Sequence, residues 1–295
     1  MQGVTIKLFA DDLKVYTSSM SSNNLNKPLQ QFIEKFINYC ALNGLTIAIN
    51  KCEVLHIGNR NKELPYLLLG KPIKTVGKNQ PVRDLGLFIT SDLKWGAHID
   101  TITKKARKLS YAILKTIKYS DSKILINLFN LYVRPILEYA SNVFNPYFFK
   151  DINKLEKIQK HFLEILHKRI NHKIYTLNPT EPLPPYQEHL LANRVESLEL
   201  RRLKSDLVLF HKHLHGFVNI DCHNGYRCSA TITRGDKYKI FPAICKTIVR
   251  HNSFFVRTSR IYSKLPDEIR HCDLKLFKTK LDQTPFLNKF LKCQL

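Results

Sequence analysis

Apolar and polar positions alternate in part along Val4-Thr5-Ile6-Lys7-Leu8-Phe9-Ala10, Asp11-Asp12 interrupts them, and Leu13-Lys14-Val15-Tyr16-Thr17 resumes the period of two. This predicts a hairpin with two carboxylates at its turn. After a polar loop, Leu25, Leu29, Phe32, Ile33, Phe36, Ile37 and Cys40 recur at helical spacing, and Gly44 supplies the stop. Strands are expected over Leu45–Ile49, Glu53–Ile57 and Leu85–Ile89, with Leu69-Gly70-Lys71-Pro72-Ile73 as a further turn. From Ala97 the period becomes helical. Ile99, Ile102, Ala106, Leu109, Ile113 and Leu114 form an apolar stripe, with Lys104, Lys105, Arg107 and Lys108 interleaved. Further helices are expected over Ser122–Tyr132, Asp151–Lys168 and Glu188–His215. A short strand at Ser253–Val256 and a closing helix around Leu274–Phe290 complete the pattern. Four prolines between Pro179 and Pro185 mark a boundary, because a helix cannot continue through them. The pattern reads as an α+β chain divided at 1–96, 97–177 and 186–295.

Composition narrows the class. With 295 residues, 44% hydrophobic and 24% charged, the chain can bury a sizeable core, and no apolar run approaches the ~18 residues of a membrane span. No secretory leader is recognised at the start, and seven scattered cysteines without a paired framework read as reduced thiols inside a cell. The outlier is charge: 47 Lys+Arg against 24 Asp+Glu leaves +23. The excess is uneven. Residues 1–99 hold 12 basic and 7 acidic side chains (+5), 100–178 hold 15 and 6 (+9), 179–233 hold 6 and 6 (0), and 234–295 hold 14 and 5 (+9). Two basic segments flanking a neutral one point to a polyanionic partner.

Adjacent aspartates at a hairpin tip raise each other's proton affinity unless a cation sits between them. Rigidly held carboxylate oxygens suit Mg²⁺, although Asp is also a favoured turn residue and a solvated turn is the plain alternative. His211, His213, His215, Cys222, His223 and Cys228 form a second cluster. Their spacing fits a zinc finger poorly, since no Cys-x₂₋₄-Cys pair is present.

The order of three motifs carries a resemblance. Phe9-Ala10-Asp11-Asp12 is followed by a helix, then by Leu45–Gly58 containing Asn50-Lys51-Cys52, then by Arg83-Asp84-Leu85-Gly86-Leu87 through Ile99. This order resembles the palm and thumb of non-LTR retrotransposon reverse transcriptases, which carry Phe/Tyr-Ala-Asp-Asp in the palm. Phe254-Phe255-Val256-Arg257-Thr258 and Leu265-Pro266-Asp267 resemble a segment found downstream of those domains. The resemblance implies a partial polymerase palm of hairpins and a helix, a helical thumb, and a mostly helical C-terminal extension.

It further implies two-metal nucleotidyl transfer by an RNA-directed DNA polymerase, with Mg²⁺ as cofactor and an RNA template and DNA primer as partners. Asp11 and Asp12 would ligate metal. Lys51 would orient or protonate the leaving pyrophosphate, or else is a surface lysine. Leu85 and Gly86 would position the primer end, and Lys104, Lys105, Arg107, Lys108 and Lys115 would contact template–primer phosphates. The family's first catalytic aspartate and its fingers precede the Asp-Asp hairpin, whereas Phe9 is only eight residues from the start here. The chain alone is therefore expected not to polymerise DNA, unless an upstream segment or partner chain supplies that strand. The alternative is a non-catalytic, basic nucleic-acid-binding protein derived from such an element. A third reading is a helical protein-interaction module.

Overall fold

A computed structural model describes residues 3–18, 26–58, 61–118, 121–228 and 239–292. Helices with small two-stranded sheets make the chain α+β, and it divides into two units, Met1–Lys94 and Trp95–Leu295.

In the first unit β1 (Val4–Phe9) and β2 (Asp12–Thr17) form an antiparallel hairpin, in register from Val4↔Thr17 to Phe9↔Asp12. Ala10 and Asp11 are its two turn residues, and Ala10 takes a left-handed φ of 52°. Helix α1 (Asn26–Leu42) closes on Gly44 at φ 64°, where Leu45 N–H donates to Cys40 O (2.8 Å) and Gly44 N–H to Ala41 O (3.3 Å). These are the paired bonds of a Schellman stop.

The expected strand at Leu45–Ile49 does not form. Its last residue begins a 3₁₀ turn, Ile49–Lys51, and β3 (Glu53–Val54) is short and pairs in parallel with β6 (Lys74–Thr75), after β4 (Leu67–Leu68) and β5 (Lys71–Pro72). An apolar run becomes a strand only where a partner edge is in reach. Leu85 and Gly86 are likewise turn rather than strand. They join β7 (Val82–Asp84) to β8 (Leu87–Ile89) with φ 45° and 85°, and Leu69–Gly70 joins β4 to β5 with φ 50° and 73°. Two successive positive φ values mark the type I′ turn that suits twisted hairpins.

The second unit opens with α2 (Gly96–Thr116), which buries Ile99, Ile102, Ala106, Ile113 and Leu114 as the stripe requires. Helix α3 (Ser122–Leu128) does not stop at Tyr132. It widens into a π turn over Phe129–Val133 and continues as α4 (Arg134–Glu138), with Pro135 in its first turn. The wider turn accommodates a residue with no N–H to donate. After α5 (Ser141–Phe144), α6 (Phe149–Ile170) runs parallel to α2. Lys154 Nζ meets Asp100 Oδ1 at 2.6 Å near one end, and Arg169 Nη1 donates to Ile117 O at 2.7 Å and Nη2 to Leu114 O at the other.

Helices α7 (His172–Leu177) and α8 (Tyr186–Ala192) flank the proline-rich connection, which lies inside this unit. Glu156 of α6, 1% exposed, accepts from Tyr186 Oη (2.9 Å), Leu198 N–H (3.2 Å) and Glu199 N–H (2.6 Å), while Arg202 Nη2 stands 3.9 Å away. The long helix expected over Glu188–His215 is interrupted: α9 (Leu198–Leu214) starts afresh because the Ser197 side chain caps Leu200 N–H at 3.2 Å.

Beyond it lie β9 (Tyr226–Cys228), β10 (Ile240–Pro242), α10 (Ile248–His251), α11 (Phe254–Tyr262), α12 (Asp267–Arg270) and α13 (Leu274–Asp282), followed by a 3₁₀ segment Pro285–Phe290. Ser253–Val256 is thus no strand. Val256, Ser259 and Tyr262 repeat every three residues and bury one helical face. The expected closing helix ends at Asp282, ahead of Pro285. Leu207, Phe210, Tyr262, Leu265, Phe277 and Leu281 belong to one buried cluster. Asp206 ties α9 to α11 and α5, accepting from Arg257 Nε (2.9 Å), Arg257 Nη2 (3.1 Å), Asn142 Nδ2 (2.9 Å) and Asn145 Nδ2 (2.9 Å).

Buried histidines are expected to make this unit acid-sensitive. Burial pushes His98 and His211 down to about 4. The unfolded chain, with His near 6.5, binds more protons than the folded one between those values, so their stability contribution is present above pH 6.5 and lost as pH falls through 4. Thermal unfolding followed by circular dichroism is expected to show ~1–2 kcal/mol lost per histidine between pH 7 and pH 5. His211→Gln is expected to reduce that pH dependence.

Candidate nucleic-acid interface

In the first unit the two carboxylates stand on an exposed tip, Asp11 in the turn and Asp12 opening β2. Two residues beyond Asp12, Lys14 Nζ meets Asp84 Oδ1 at 2.5 Å. That ion pair brings the Asp-Asp hairpin beside the hairpin whose turn is Leu85–Gly86. Lys51 closes the 3₁₀ turn as an exposed side chain outside any ion pair among the described residues. The two aspartates offer hard oxygen donors that fit one wall of a Mg²⁺ site. Among the described residues no group of three His, Cys, Asp or Glu side chains gathers, so the hairpin by itself does not make up a full donor set.

The histidine–cysteine cluster is absorbed into packing at its first member. His211 is fully buried, its ring stacked on Phe277 at 3.9 Å, and His215 donates from Nε2 to Arg270 O at 3.2 Å. Because the Tyr262 hydroxyl donates to Arg270 O (3.2 Å), its oxygen accepts from His211 Nδ1 (2.8 Å). One nitrogen of that ring is thereby committed to the fold.

The basic residues of α2 are sorted by helical geometry. At 100° per residue, Lys104, Lys108, Tyr111 and Lys115 fall within a stripe of about 60°, Arg107 lies just outside it, and Lys105 points about 100° away from Lys104. All six are exposed. Arg107, Lys108 and Tyr111 form one wall of a groove of about 700 Å³ between α2 and α6. Its other wall is Lys157, Lys160, His161 and Glu164, and its floor is Ser110, Leu114, Ile158 and Ile165. Four permanent cations thus face a single carboxylate, and Glu164 lies 3.9 Å from His161 Nδ1. Among the described residues none of the four cations is in an ion pair. The groove also shows what the sequence concealed. Lys157 and Lys160 lie about fifty residues from the α2 lysines, and only the parallel pairing of the helices joins them.

No protein-family model matches the chain, and no solved structure does. A search of curated proteins finds an uncharacterized Caenorhabditis elegans protein, B0403.1, 25% identical over 135 residues. The alignment covers 46% of this chain and 64% of that protein. No described helix is long and apolar enough to cross a membrane.

Proposed function

We propose that this chain is the nucleic-acid-gripping part of a retrotransposon-type reverse transcriptase, with an incomplete catalytic set of its own. The observation that carries the gripping role is the α2–α6 groove, where Arg107, Lys108, Lys157 and Lys160 line two facing walls against one acidic side chain. Cations without carboxylate partners release counterions from a phosphate backbone, which is the main source of affinity for nucleic acid. The polymerase ancestry rests on the order of Phe9-Ala10-Asp11-Asp12, Asn50-Lys51-Cys52 and Leu85-Gly86-Leu87. The contact between the first and last of these through Lys14 and Asp84 is consistent with a shared site. In this reading Asp11 and Asp12 hold Mg²⁺ only together with a further carboxylate from an upstream segment or another chain.

Primer extension on an RNA template with Mg²⁺ tests the reading, run on the chain alone and mixed with a fingers-and-palm fragment of a similar element. Extension in the mixture, absent from the chain alone and lost in Asp11→Ala, is the expected result. No extension in either, with salt-sensitive RNA binding retained, assigns the chain instead to non-catalytic nucleic-acid binding. No RNA binding at moderate salt contradicts both.

A further inference from the structure

The α2–α6 groove has a feature that phosphate binding alone does not use. Apart from Ser110 its floor is apolar, with Leu114 and Ile158 each 4% exposed and Ile165 half-buried, and the Tyr111 ring stands at its edge 64% exposed. We propose that the groove takes single-stranded nucleic acid, one unstacked base lying on this floor against Tyr111 while flanking phosphates meet the cations of both walls. The proposal rests on the nucleic-acid reading above and adds which form of nucleic acid is bound.

The argument is one of matching surfaces. A duplex keeps its bases stacked and presents mainly phosphates to a cleft, so it would engage Arg107, Lys108, Lys157 and Lys160 and leave the floor and Tyr111 uncovered. A single strand offers π faces as well as phosphates, and both find complements within a groove about 10 Å long, the span of α2 from Arg107 to Leu114. Charge selects the same occupant: four permanent cations against Glu164 favour a polyanion, and an acidic peptide would bring charge without planar rings to cover Tyr111. Stacking on an aromatic side chain tolerates any base, so little sequence preference is expected.

Fluorescence anisotropy of the full chain with a labelled single-stranded RNA, and with a duplex of the same sequence and length at the same salt, tests this. Single strand is expected to bind about tenfold more tightly or better, with Tyr111→Ala weakening it at least about fivefold, Tyr111→Phe retaining it, and duplex binding unchanged. Tyr111 is mostly exposed, so the variant keeps the fold, and unchanged circular dichroism verifies that. Equal or tighter binding of duplex, or a Tyr111→Ala variant that matches the parent on both probes, overturns the base-docking proposal while leaving nucleic-acid binding in place. So does poly-glutamate competing as well as single-stranded RNA of equal charge. Binding of neither probe overturns the nucleic-acid reading itself, and binding indifferent to Lys157→Gln with Lys160→Gln overturns the groove as the place where the strand docks.

Discussion

Glu156→Ala is expected to destabilise the Trp95–Leu295 unit by about 3–5 kcal/mol, because it leaves the Arg202 guanidinium buried without its counter-charge. Both side chains are 1% exposed. The carboxylate also accepts from the Tyr186 hydroxyl and from the first two amides of α9, so its loss removes three hydrogen bonds at once. Burial pushes the Glu156 carboxyl up, while Arg202 and those donors pull it down. Urea unfolding followed by helix ellipticity should show the loss as a lower midpoint. Glu156→Gln with Arg202→Met removes both charges and is expected to recover much of it. Equal damage from the single and double variants would show that the pair itself is not what holds α6 to α9.

Neutralising Lys108, Lys157 and Lys160 together to Gln is expected to weaken RNA binding at moderate salt by one to two orders of magnitude, with thermal stability within about 1 kcal/mol of the parent. The three residues lie on both walls of the groove and form no ion pair among the described residues, so the fold does not depend on their charge. Lys105→Gln, on the same helix but turned away from the stripe, is expected to have a much smaller effect. An equal loss from Lys105→Gln alone would mean that net charge rather than the groove is responsible.

Local pattern made part of this legible. The period of two on either side of Asp11-Asp12 specifies β1 and β2, and the stripe from Ile99 to Leu114 specifies α2, because each element's register is written in its own residues. Where a partner decides, the pattern misleads. Leu45–Ile49 has strand composition but pairs with no strand among the described residues, Ser253–Val256 has strand composition but is followed by Ser259 and Tyr262 at helical spacing, and Ser197 restarts a helix whose periodicity runs through the break. The groove divides the same way. Arg107 and Lys108 could be named from α2 alone, whereas Lys157, Lys160 and the apolar floor belong to the site only through a helix pairing across about fifty residues.

The measurement that bears most directly on a groove-centred nucleic-acid grip is the salt dependence of RNA binding by the intact chain and by the Lys108/Lys157/Lys160→Gln variant. With the four groove cations engaged, log K for single-stranded RNA is expected to fall against log salt with a slope of about −3, made shallower by about 2 in the variant. A steep slope left unchanged by the three substitutions would place the contact elsewhere on the chain, and no binding at moderate salt would contradict the grip altogether.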